Sequence, residues 1–340
     1  MEKSTARTLE TPQASEGSAP AYTAGEPGPI VTVTAAELLT MQLPERPMLI
    51  APILPAGGLA LLYAQRGIGK TFLALSIAWA VASGGRILRW EAPAPRAVLY
   101  IDGEMPARTL QERLRRIIGH ADPSPEDADR LRFLASDLME LGLPSLASEH
   151  GQHLASRAAV GCDLVVVDNL SSLTPGVREN ESEDWEPIQR WLLTLRRAGK
   201  AVLVVHHAGK SGEQRGTSRR EDVLDLVIAL RHPQSYRPDE GARFIVHMEK
   251  ARNIVGPDAE RFEARLVEGA DGGLQWIDSA PHDPHRRALE LISLGQSVRD
   301  IARATGVSKS TVQRLRTQLP GAVPMSQPPP SDSGTLGAMA

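Results

Sequence analysis

The sequence predicts an α/β fold: a mostly parallel sheet covered by helices on both faces, a β-rich C-terminal extension of that sheet, and a small all-α module after it. Three observations lead there. Short, wholly apolar runs alternate with longer helical patterns between Leu59 and Val205, and strands buried on both faces read this way. From Leu226 onward the helical spacing gives way to strand-like segments separated by turns. Residues 285–318 then carry short helical patterns with their own apolar positions.

The elements follow in order. Residues 59–63 form an apolar strand, and Lys70 opens a helix to residue 82 that is apolar on most sides. A strand at 97–101 precedes a helix at 107–119 that is charged on one face. Another strand is expected at 131–134, a helix at 149–160 and a strand with three consecutive valines at 163–167. The helix at 184–198 places Trp185, Ile188, Trp191, Leu192 and Leu195 at helical spacing, so its tryptophans read as core rather than as a platform for nucleic-acid bases. Strands at 201–205, 226–230, 243–248 and 261–266 complete the pattern, and no internal repeat is visible.

Composition bounds the function. The 340 residues accommodate one large α/β domain plus a small module, or two modest domains. The larger folded region is assigned to 31–278 and the small module to 283–319. Residues 1–30 and the Pro-rich tail 320–340 hold too little apolar surface to offset chain entropy and are expected to be disordered. A net charge of −3 leaves no globally basic surface, so any nucleic-acid contact must be local. A single cysteine, Cys162, excludes a disulfide framework and reads as a small buried side chain. The absence of a long apolar span or a signal-peptide pattern predicts a cytoplasmic protein that does not contact membrane.

The strongest motif is Ala64-Gln65-Arg66-Gly67-Ile68-Gly69-Lys70-Thr71, followed by Phe72, set between a strand and a helix. That context suits a phosphate-binding loop. Loop N–H groups and the helix N-terminus attract the phosphates, and Gly67 and Gly69 let the backbone curl close to them. Lys70 would bridge the β- and γ-phosphates and Thr71 would ligate Mg²⁺. The first consensus glycine is Ala64, which is tolerable if its φ stays negative. Asp168, at the end of an apolar strand, would hold the metal through its water shell. No glutamate follows Asp168 directly, so the general base is sought in Asp102-Gly103-Glu104-Met105-Pro106, with Glu104 first and Asp102 second. The strand at 201–205 ends in His206-His207. His207 is assigned as the γ-phosphate sensor with His206 as the alternative, and no further ligands lie close enough in sequence for zinc. The segment 209–222 carries Lys210, Arg215, Arg219 and Arg220 among small residues, a basic loop suited to a nucleic-acid backbone. Lys250 and Arg252, after the strand at 243–248, would reach a nucleotide held by a neighbouring copy.

Together these motifs resemble the RecA-like hexameric helicases, most nearly the RepA type and its AAA-family relatives, over residues 31–278. The resemblance accommodates Ala64, since the variant loop also resembles that of DnaB-type helicases. It implies a catalytic role for Glu104, a sensor at His207, and a Lys-x-Arg finger at Lys250-Ala251-Arg252. It also matches the Arg-Gly-Thr-Ser stretch at 215–218 with Asp225 downstream. One departure is the acidic run at 174–184, with Glu179, Glu181, Glu183 and Asp184, in a region that tends to face the channel in that family.

In the C-terminal module, Val298 to Val312 resembles the helix-turn-helix of resolvases and invertases, with Gly306 at the turn and Ile301, Val307 and Val312 inward. Its basic residues outnumber acidic ones seven to two between Arg286 and Leu319. Lys309, Ser310, Thr311, Gln313 and Arg314 would face a duplex. The expected function is an ATP- and Mg²⁺-dependent motor on single-stranded DNA, working as a homo-oligomeric, hexameric ring. The alternatives are an ATP-binding repressor and a RecA-like recombination accessory.

Overall fold

The computed structural model describes residues 32–43, 45–119, 123–177, 182–209, 222–270, 272–280 and 284–318. It divides into two units, residues 1–45 and 46–340. In the first, helix α1 (Ala35–Thr40) begins with a capping box in which Thr34 and Glu37 exchange side-chain and backbone hydrogen bonds.

The second unit starts with two short paired strands, β1 (Met48–Ile50) and β2 (Leu54–Pro55). β3 (Leu59–Ala64) leads into α2 (Lys70–Ser83). A second small hairpin, β4 (Arg86–Ile87) with β5 (Trp90–Glu91), precedes β6 (Val98–Asp102). Then come α3 (Ala107–Ile118), α4 (Pro125–Arg130), β7 (Leu131–Ala135), α5 (Glu149–Ala158), β8 (Leu164–Asp168), α6 (Leu170–Leu173) and α7 (Ser182–Arg197). The strands β9 (Ala201–His207), β10 (Leu226–Arg231), β11 (Arg243–Ala251), β12 (Phe262–Glu268) and β13 (Leu274–Ser279) follow. Three helices close the described chain: α8 (Pro284–Ser293), α9 (Val298–Thr305) and α10 (Lys309–Gln318).

Nine strands join one sheet in the order β13-β12-β11-β10-β3-β9-β8-β6-β7. From β10 to β7 every pairing is parallel, and from β10 to β13 every pairing is antiparallel. This is the predicted α/β fold, a mostly parallel sheet with a β-rich C-terminal extension. The parallel strands alternate between two cores. Ala60 and Leu62 join Leu73, Ala74 and Ile77 of α2 on one face, while Leu59, Leu61 and Tyr63 join Trp185, Ile188 and Trp191 of α7 on the other. That two-sided burial explains why the strands read as continuous apolar runs. Both tryptophans are core residues, with Trp191 donating to Ser156 Oγ at 2.9 Å, and Cys162 is buried in the same cluster.

The sequence reading missed α1, α4, α6, both small hairpins and β13. These are short, and β13 is exposed along much of its length, so neither helical nor alternating periodicity accumulates in them. The strand expected to end at residue 248 runs on to Ala251, carrying Lys250 inside β11. Helices α8–α10 enclose a separate apolar cluster of Ala288, Leu291, Ile292, Ile301, Val307 and Val312. Ser297 caps α9, and Gly306 ends it in the left-handed region.

Gly151 in α5 backs directly onto the preceding loop: a Cβ there would lie 2.2 Å from the Ser145 carbonyl oxygen. Alanine favours an isolated helix by about 1 kcal/mol, but overpacking against backbone costs about 1–3 kcal/mol. Gly151→Ala should therefore lower the thermal midpoint. A midpoint equal to wild type or higher would show that the loop at 144–145 yields freely.

Candidate functional site

The site lies at the C-terminal ends of β3, β6, β8 and β9, where the apolar strands give way to polar residues. β3 ends in Ala64, and the next turn carries Gly67 at φ 81° and Gly69 at φ 112° before α2 begins. These left-handed values are what glycine supplies there. At Gly69 a side chain would also meet Ala242, whose Cβ lies 2.7 Å from the position a Cβ would take. Ala64 is not among the described non-glycine residues with positive φ, so alanine serves in place of the consensus glycine. Lys70 is buried and donates to the carbonyls of Ala64 (3.0 Å) and Gln65 (2.8 Å). Burial pulls its ammonium down to about 8, against the pull of Asp168 and Glu104.

The register of β6 against β8 sets Asp102 beside Asp168. Both are buried, and burial raises both carboxyls, Asp102 to about 6. Their repulsion adds to the rise at Asp102, while hydrogen bonds hold it back: Oδ1 accepts from the N–H groups of Glu104 (3.2 Å) and Met105 (2.7 Å). Asp168 accepts from the Tyr100 hydroxyl at 2.6 Å, and Thr71 also hydrogen-bonds to it. Asp102 thus shapes the turn that carries Glu104. Gly103 fits tightly there, since a Cβ would come within 2.6 Å of Leu173.

Glu104 is held from two sides. Its Oε2 accepts from Asn169 Nδ2, and His207 Nε2 stands 3.7 Å from the same oxygen. Asn169 in turn caps α6, its Oδ1 accepting from the Ser172 N–H. Burial and the nearby Lys70 charge push the His207 imidazolium down, so His207 is neutral near pH 7. His206 is directed instead toward Ser171 Oγ, 3.4 Å away. Strand alternation thus separates the two histidines that sequence had left as alternatives.

These groups line one cavity of about 400 Å³ that brings together Arg66, Gly67, Gly69, Lys70, Thr71, Phe72, Glu104, Asp168 and His207. Ala64 and Gln65 contribute carbonyls to Lys70, while Ile68 is buried in the core. Sequence reasoning missed Tyr100, Asn169 and Arg113. Asn169 adjoins Asp168 and was legible as a cap. Tyr100 and Arg113 carried no signal, because only the fold brings Tyr100 to Asp168 beneath the cavity and Arg113 to its lining, where the guanidinium lies 4.7 Å from the Phe72 ring centroid.

A family model described as an AAA domain matches residues 25–213, more than half of the chain. The chain belongs to this family. As an AAA-domain protein it carries a P-loop NTPase core, a fold that implies nucleotide binding. Among solved structures it is similar to a KaiC-like protein of the hyperthermophilic archaeon Pyrococcus horikoshii OT3, at 16% identity and TM-score 0.49 over 68% of this chain and 98% of that one. It is also similar to the flagellar accessory protein FlaH of Methanocaldococcus jannaschii, at 11% identity and TM-score 0.46 over 65% of this chain and 91% of that one.

Lys250 and Arg252 do not enter this AAA-domain protein's cavity. They sit at the opposite end of the sheet, where Arg252 donates to the Asp222 carbonyl at 3.0 Å and lies 3.6 Å from Asp225. Asp225 also accepts from Leu59 N–H and binds Arg196. Lys210, Arg215, Arg219 and Arg220 lie outside the described residues, as do residues 178–181 of the acidic run. On α10, Lys309, Ser310, Gln313 and Arg314 are exposed and Thr311 is half-buried. Among the described residues no three His, Cys, Asp or Glu side chains gather as a metal cage, and no helix is long and apolar enough to cross a membrane.

Asp102 gives the site a pH signature. Between about pH 4 and 6 the folded protein holds a proton on Asp102 that the unfolded chain has lost, so stability falls as pH rises through that window. Asp102→Asn keeps an oxygen acceptor for the Glu104 and Met105 N–H groups but does not ionise. Its thermal midpoint relative to wild type, in nucleotide-free protein, should therefore be higher at pH 7.5 than at pH 4.5. A constant difference would mean that Asp102 does not titrate in that window.

Proposed function

We propose that this protein is an ATP-dependent motor on single-stranded DNA, of the RepA helicase type, which hydrolyses ATP at the interfaces of a homo-oligomeric ring. The observation that carries the reading is a division of the catalytic parts. Glu104, Lys70 and His207 line one cavity, whereas Arg252 stands at the other end of the same sheet. A cation there is out of reach of its own copy's cavity, and this supports a role on a nucleotide held by another copy.

Within one copy, Lys70 and the loop N–H groups would bind the β- and γ-phosphates. Thr71 and Asp168 fit a hydrated Mg²⁺, because the hydroxyl and the buried carboxyl are already adjacent and the rest of the shell comes from water and phosphate oxygens. The ion would neutralise charge on the β- and γ-oxygens. Glu104, oriented by Asn169, accepts the proton of the attacking water as its oxygen bonds to the γ-phosphorus. The bond from that phosphorus to the β–γ bridging oxygen breaks, and ADP and inorganic phosphate leave. Neutral His207 would donate a hydrogen bond to the γ-phosphate. Arg252 of a neighbouring copy, with Lys250 beside it, would stabilise the charge of the transferring phosphoryl group.

The basic segment with Lys210, Arg215, Arg219 and Arg220 follows the strand that ends in His207. It would carry the single strand as the nucleotide state changes. Helices α8–α10 would tether the ring to duplex DNA through Lys309, Ser310, Thr311, Gln313 and Arg314.

ATP turnover by the full chain, with and without single-stranded DNA, tests the reading. Wild type should be stimulated by DNA. Glu104→Gln should lose turnover while still binding ATP, and Arg252→Ala should fall by about 10³-fold or more. Turnover that ignores both DNA and Arg252 would replace the motor with an ATP-binding regulator acting through α8–α10.

A further inference from the structure

The strand that leads to Arg252 is tied to the strand that leads to the P-loop. In the pairing of β10 with β11, Val227 faces Lys250 and Ile228 faces Met248, so Glu249 has no opposite residue. Such a bulge rotates the local backbone and re-aims the side chains next to it. The Glu249 side chain, partly exposed, reaches across to β3, where Oε2 accepts a hydrogen bond of 2.5 Å from the Tyr63 hydroxyl and Oε1 accepts one of 2.8 Å from Arg231. Tyr63 is 1% exposed and immediately precedes Ala64. Its hydroxyl remains protonated, because burial and the Glu249 carboxylate both raise it. At the far end of the same short segment, the Arg252 N–H donates to the Asp225 carbonyl at 2.8 Å. The backbone from Glu249 to Arg252 is therefore pinned at both ends, once to β3 and once to the start of β10.

We infer that Glu249, anchored by Tyr63, is a positioning residue that aims Lys250 and Arg252 at the nucleotide of a neighbouring copy. The inference rests on the ring reading proposed above. Glu249 touches no reacting atom. It sets the bulge, the bulge sets the direction of the two cations, and arginine acts on a transferring phosphoryl group only when its placement is accurate. Tyr63 also makes the finger of each copy answer to the strand beneath its own P-loop.

The alternative is that Glu249 merely satisfies the Tyr63 hydroxyl and supports its own P-loop, and mixing experiments separate the two. Glu249→Gln and Tyr63→Phe both keep side-chain volume, and Tyr63→Phe keeps the ring in the core, so at least one folded variant is available. In DNA-stimulated ATP turnover each should lower kcat by about 10- to 100-fold with KM for ATP unchanged. Mixing either variant with Glu104→Gln should restore turnover above the sum of the separate assemblies. In the mixture the intact cavity of one copy meets the well-aimed Arg252 of the other.

Arg252→Ala mixed with Glu104→Gln is the control and should be rescued in the same way. Loss of turnover that mixing does not restore would overturn the inference, because the damage would then lie in the variant's own cavity. Wild-type kcat in both variants beside an inactive Arg252→Ala would overturn it while leaving the ring reading standing. Wild-type turnover in Arg252→Ala would overturn both.

Discussion

The parallel pairing of β6 with β8 is the constraint on which the rest of the site depends. It sets Asp102 level with Asp168, at the place where two buried strands reach the edge of the sheet. Two carboxyls cannot both be buried and ionised there without compensation. The compensating groups make up much of the site: backbone N–H groups from the turn at Glu104, the Tyr100 hydroxyl, and the Thr71 and Lys70 side chains from the start of α2. The hydrogen bonds that satisfy Asp102 also fix the turn that projects Glu104. Asn169, which follows Asp168 directly, meets that glutamate from the other strand.

The sheet also separates functions by distance. Parallel strands carry their loops to one end, and the phosphate-binding turn, Glu104, Asp168 and His207 all lie there. β11 runs antiparallel to β10, so its last residues return to the opposite end, where Asp225 receives Arg252. One change of strand direction thus makes a single chain present a cavity at one end and cations at the other. The proposed ring, in which each copy would complete the next, rests on that arrangement.

Much of this was legible in the linear pattern. The P-loop could be read because its glycines, lysine and threonine act through local backbone geometry, which short spacing encodes directly. Asp168 was legible because a run of buried valines must end somewhere, and a carboxylate at that point is conspicuous. The mostly parallel sheet could be read from strands apolar at every position. Elements of two to four residues, such as β4, β5 and α6, escaped because they are too short to show a period. Lys250 was placed beyond its strand because the bulge at Glu249 interrupts the alternation that marks a strand.

The sequence by itself determined the fold class, the phosphate-binding turn, the identity of the carboxylates and the polarity of the C-terminal helices, since each depends on residues near one another in the chain. Only the tertiary structure decided which histidine enters the cavity, because His206 and His207 differ by a single step of strand alternation, and the packing of α2, α6 and β9 assigns the two faces. It also decided that Asn169 and Tyr100 govern the carboxylates and that Glu249 reaches Tyr63. Those contacts cross the sheet between residues 65, 68 and 186 positions apart. No local propensity encodes such distances, and they arise only from strand order and register.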